Sequence, residues 1–115
     1  MKTMLLISLL SVLTLTGGKK GTGSIYHDKY SGRLTASGDV FSQNKLTAAS
    51  NIFKLGTKVK VTNERNGKSV EVLINDRMAK GIEKRGRIID LSRAAAKEID
   101  FTLKQGLTPV SVIEI

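Results

Sequence analysis

TKVKVTNERNGKSVEVLIN, residues 57–75, holds two apolar–polar alternations on either side of Asn66-Gly67. Val59 and Val61 mark the first arm; Val70, Val72 and Ile74 mark the second. A period of two gives each arm one apolar face, the pattern of a half-buried strand. Asn-Gly between two such arms is a strong hairpin signal, because the turn needs residues that tolerate left-handed backbone. The segment therefore predicts an antiparallel pair with one face in a core.

The same pattern continues outward. RIIDL (87–91) is a short apolar run, and PVSVIEI (109–115) alternates again, with Pro109 at a strand start where its missing N–H does no harm. GSIYHDKY (23–30) is a candidate first strand. The one convincing helix is SRAAAKEI (92–99), with Ser92 as its N-cap and three alanines as strong helix formers. A second short helix is expected around Leu46 to Ala49. Many short strands, turn signals between them and little helix predict a small, closed, mainly β barrel.

Bulk composition agrees with a single domain. The chain has 115 residues, 40% hydrophobic and 25% charged, which suits one globular core. Aromatics are only 4%, so Val, Ile, Leu and Ala must fill that core. The net charge is +9, from 19 Lys and Arg against 10 Asp and Glu, and favours polyanionic partners. No pure Lys/Arg run stands out, and sparse aromatics leave few stacking platforms for single-stranded nucleic acid, so no specific nucleic-acid partner is expected.

Met1-Lys2, the apolar stretch MLLISLLSVLTL (4–15) and the small residues after it describe a secretory leader. It is shorter than the roughly twenty residues of a membrane span. We expect a signal peptide over 1–18, a short linker over 19–22 and the barrel domain over 23–115. The chain has no Cys, which excludes disulfides, thiolate metal sites and a thioether lipid anchor.

The chemistry then falls to carboxylates. His27 is the only histidine and lies between Tyr26 and Asp28, where a structural role is the simpler reading. No set of His and carboxylates has metal-ligand spacing, and no glycine loop follows a strand to cradle phosphate, so neither metal nor cofactor is expected. Asp39 lies in a Ser-Gly-Asp turn, Asp76 ends an apolar strand beside Arg77, and Asp90 precedes the helix. Each has an ordinary structural explanation: an Asx turn, an ion pair and a contribution to the helix N-terminus respectively.

GTGSIYHDKYSGRLTASGDVF, NKLTAAS, LGTKVKVTN, NGKSVEVLINDR, GRIIDLSRAAA and PVSVIEI, in that order, resemble the rare lipoprotein A (RlpA) family of double-psi β-barrels. The resemblance implies a six-stranded double-psi barrel with one or two short helices. It also implies endolytic cleavage of peptidoglycan glycan strands to 1,6-anhydro-muramyl ends, the work of a lytic transglycosylase. On that pattern Asp39 and Asp76 are the catalytic candidates, and Tyr26, Ser42, Ser50, Asn75 and Arg77 the substrate contacts. Asp39, Ser42 and Ser50 stand where the family typically has Glu, Asp and His, and Met78-Ala79-Lys80 replaces its usual Gly-Pro-Phe. Serine neither ionises nor relays a proton at neutral pH as imidazole does, so the altered site leaves open a barrel that binds glycan without cleaving it. The expected partner is peptidoglycan, met by a monomer in the periplasm or outside the cell, with no stable membrane insertion after the leader is removed.

Overall fold

A computed structural model describes residues 18–115; apart from Gly18, the expected leader lies outside the described residues. Six strands form a closed barrel: β1 (Lys19–Ile25), β2 (Thr47–Ala49), β3 (Lys58–Asn63), β4 (Ser69–Asp76), β5 (Arg87–Leu91) and β6 (Leu107–Glu114). They close in the order β1-β5-β2-β4-β3-β6. β1/β5 and β2/β4 are parallel; the other neighbours run antiparallel. Among the described residues, one α-helix, α1 (Arg93–Glu98), and 3-10 turns at Asp28–Tyr30 and Ile82–Arg85 fill the connections.

The hairpin forms as its alternation requires. Val59 pairs with Val72 and Val61 with Val70, so the apolar positions of β3 and β4 share one face. β6 closes the other side of β3 by pairing Val112 with Val61. With Ile74, Ile89, Leu91 and Val110 they make a core that is almost fully buried. Each such side chain stabilises the fold by about 1.5–3 kcal/mol over its exposed state. The turn is longer than the two-residue form: Gly67 N–H donates to Asn63 O at 2.7 Å, and Gly67 alone takes the left-handed conformation at φ 77°.

Two local expectations are corrected. Residues 19–22, expected as linker, are the first half of β1 and pair with Pro109–Val112 of β6. Lys-Lys-Gly-Thr shows no alternation because these residues are held by backbone pairing. Gly21 is needed there, since a Cβ would lie 2.7 Å from Gly86 O. The stretch Leu46–Ala49, expected as a short helix, instead holds strand β2 at Thr47–Ala49, wedged between β4 and β5. Two flanking ladders override the alanines' helix preference. Ser92 does cap α1, accepting from Ala95 N–H at 3.2 Å, while its own hydroxyl donates to Lys45 O at 2.6 Å.

Candidate active site

β2 is only three residues long, and its last, Ala49, is the centre of the site. Ala49 pairs laterally with Asp76 of β4 on one side and with Asp90 of β5 on the other. Strands lie about 4.8 Å apart, so the two aspartate backbones stand roughly 9.6 Å from each other. A cavity of about 260 Å³ lies there, lined by Tyr26, Tyr30, Asp76, Arg77, Arg87 and Asp90, among others.

Tyr26 reaches this cavity because β1 follows β5 one residue beyond the named strand, through Tyr26 N–H to Leu91 O at 2.9 Å. Its ring stacks on Phe41 with centroids 4.1 Å apart, and its hydroxyl donates to Asp76 Oδ2 at 2.5 Å. Burial, then the adjoining Asp76 carboxylate, push the phenol far above its usual range, so it stays a donor. Asp76 Oδ1 accepts from the backbone N–H of Ala36 and of Arg77, each at 2.8 Å. Three donors fix this carboxylate in place.

Asp90 has a different environment. Burial pushes its carboxyl upward, and the charge of Asp76 adds to this. A hydrogen bond from Ser24 Oγ at 3.0 Å and the charge of Arg87 oppose the shift without reversing it. Arg87 Nη2 donates to the same Ser24 oxygen at 2.7 Å, so Arg87, Ser24 and Asp90 form a line. One cavity thus holds a fixed carboxylate and a carboxyl biased towards keeping its proton. Acid catalysis needs a group of the second kind.

Of the residues expected from the sequence, Tyr26, Asp76 and Arg77 meet here. The Arg77 guanidinium is partly committed, donating through Nη1 to Ser50 O and Phe53 O at 2.5 Å each. Asp39, Ser42 and Asn75 line a second cavity, of about 420 Å³. Asp39 is exposed there, held by Ser37 Oγ at 2.9 Å and by Asn75 Nδ2 at 3.5 Å. Ser50 lines neither cavity. It is fully buried, donating to Ile88 O at 2.7 Å and accepting from Ile52 N–H at 3.1 Å, so it braces the chain.

Asp90, Ser24, Arg87 and Tyr30 were not among the expected site residues. Asp90 was explained as support for the helix N-terminus, yet Ser92 caps that helix and the Asp90 carboxyl bonds Ser24. A signal was present: a carboxylate between Ile89 and Leu91, inside an apolar run, must sit on a strand whose neighbours are buried.

A family described as lytic transglycolase matches residues 18–112. The chain is 52% identical over 81 residues to the endolytic peptidoglycan transglycosylase RlpA of Pasteurella multocida, covering 70% of this chain and 26% of that protein. It is 53% identical over 81 residues to the probable endolytic peptidoglycan transglycosylase RlpA of Synechocystis sp., covering 70% and 24%. The chain thus spans about a quarter of the length of these curated relatives. Among solved structures, the Streptomyces papain inhibitor aligns with a TM-score of 0.67 at 22% identity, over 87% of this chain and 96% of its own. An expansin of Clavibacter michiganensis, in complex with cellohexaose, gives 0.63 at 18%, over 85% and 50%. At such identities these two establish the fold alone.

Proposed function

The chain belongs to the lytic transglycolase family of RlpA-like double-psi β-barrels, and on that premise we propose that it cleaves peptidoglycan glycan strands without water. The observation that supports this most is the pairing of Asp76 and Asp90 across Ala49 in one open cavity, in unlike environments. Asp90 is the acid. Its proton passes to the glycosidic oxygen as the bond from that oxygen to the muramyl anomeric carbon breaks. The muramyl 6-hydroxyl oxygen then bonds the same carbon, and its proton returns to Asp90. The products are a 1,6-anhydro-muramyl end and a new 4-hydroxyl, and the enzyme recovers its starting state.

Asp76, fixed by Tyr26 and two backbone N–H groups, places negative charge beside the developing oxocarbenium ion. Tyr30, partly exposed at the cavity and 5.9 Å from the Tyr26 ring, offers a face for a sugar ring. The substrate lies outside the cytoplasmic membrane. Together with the leader-like start, this supports a periplasmic or extracellular site of action for a protein not held by a Cys-linked lipid.

The test is digestion of purified glycan strands in H2-18O, followed by mass spectrometry. Anhydro-muramyl ends free of 18O are expected, and none from Asp90→Asn. Reducing ends carrying 18O would contradict the non-hydrolytic route. A second reading, a barrel that binds glycan without cleaving it, draws support from the exposure of Asp39. It predicts intact strands that co-sediment with the protein.

A further inference from the structure

The second cavity has a chemistry of its own. Asn75 is 5% exposed and lines it, and Asn75 Oδ1 is one of the buried polar atoms without a partner among the described residues. The amide cannot simply turn over to satisfy that oxygen. Asp39 Oδ2 lies 3.5 Å from Nδ2, and a flipped amide would set two oxygens against each other. A buried acceptor left without a donor is costly, and a ligand N–H at this place removes that cost.

Ser42 supplies the opposite half. Its Oγ accepts from Asn44 N–H at 3.2 Å, leaving the hydroxyl proton free to donate into the cavity. Val40, which is exposed, and Leu73 give the wall an apolar part, and Lys45 adds a cation at the same wall. An acceptor, a donor and a small apolar surface together match a secondary amide bearing a methyl group. We propose that this cavity is an acetamido subsite: Asn75 Oδ1 takes the N–H, Ser42 donates to the C=O, and Val40 with Leu73 covers the methyl. Asp39 acts here as the group that orients Asn75.

This rests on the glycan-cleaving reading, since it names a group that the sugars of that substrate carry. The Thr35–Asp39 loop links the two cavities, with Ser37 N–H donating to Asn75 O at 3.1 Å and Ala36 N–H to Asp76 Oδ1 at 2.8 Å. The subsite therefore selects strands whose sugars carry 2-acetamido groups over otherwise similar β-1,4 glucans.

Calorimetric titration of the protein with chitotetraose and with cellotetraose tests it, since these oligomers share a backbone and differ in the acetamido group. We expect at least tenfold tighter binding of chitotetraose. Asn75→Ala should bring the two within twofold. Val40→Trp, which fills the cavity from an exposed position, should do the same and carries the test should Asn75→Ala fail to fold. Equal binding by the unaltered protein, or a preference that survives Val40→Trp, overturns the subsite while leaving the cleavage reading standing. Failure to bind any glycan, glycan strands included, overturns both. The dipeptide L-alanyl-D-isoglutamine is the control for the other source of a secondary amide, and competition by it for chitotetraose overturns the assignment to the sugar.

Discussion

Tyr26→Phe removes one hydroxyl from the site and almost nothing else. Tyr26 is 5% exposed and stacked on Phe41, and a phenyl ring keeps that packing. What is lost is the 2.5 Å hydrogen bond to Asp76 Oδ2. A hydrogen bond to a charged group contributes about 1.5–3 kcal/mol. Asp76 faces an open cavity where water can replace part of the bond, so the lower end applies, about 1.5 kcal/mol. For a domain of about a hundred residues that corresponds to a fall in Tm of roughly 6–12 °C. Urea denaturation at neutral pH measures it directly, and the slope should not change, because the surface exposed on unfolding is the same. A cycle with Asp76→Asn should return a coupling of about 1 kcal/mol between the two positions. A loss under about 0.5 kcal/mol, within the range of an ordinary surface change, would refute the claim that this bond fixes the carboxylate.

Other substitutions separate structural from catalytic groups. Asp90→Asn should abolish cleavage and raise stability at neutral pH. With its carboxyl pushed up in the folded state, native Asp90 keeps its proton where the unfolded chain has lost it; its penalty grows as pH rises above the ordinary carboxylate range and vanishes in acid. Denaturation of both proteins at pH 3 and pH 7 checks the sign: the variant's advantage must be larger at pH 7. Cleavage should likewise decline on the alkaline side as Asp90 loses its proton. Ser50→Ala should cost about 1–3 kcal/mol by leaving Ile88 O without its buried donor, yet leave the turnover rate of the folded protein unchanged. Gly21→Ala should destabilise by about 1–3 kcal/mol in thermal melts, because its Cβ meets Gly86 O at 2.7 Å and Ile88 Cγ2 at 2.8 Å.

How much was legible in the sequence follows from where each residue's partners lie. The hairpin over 57–75 is local, and its alternation placed both strands and their buried faces. The last strand and the capped helix were legible for the same reason. The first half of β1 was not, because Lys19 and Lys20 pair with β6 nearly a hundred residues later and show no periodicity. Nor was β2, whose alanines favour helix until β4 and β5 close on both sides. The site divides likewise. Asp76 stood out at a strand end. The role of Asp90 depends on lying across Ala49 from it, a relation that exists only once the barrel has closed. Asp39, prominent in its turn, is placed by the fold in the neighbouring cavity.

On the proposed mechanism the acid of this barrel is the half-buried Asp90 and not the exposed Asp39. Turnover of glycan strands to anhydro-muramyl ends by Asp90→Asn and Asp39→Asn, side by side, tests it most directly. Both substitutions keep shape and remove only the ionisable group. No detectable product is expected from Asp90→Asn, and retained turnover, at weakened substrate affinity, from Asp39→Asn. The reverse result, an active Asp90→Asn beside a silent Asp39→Asn, would contradict it.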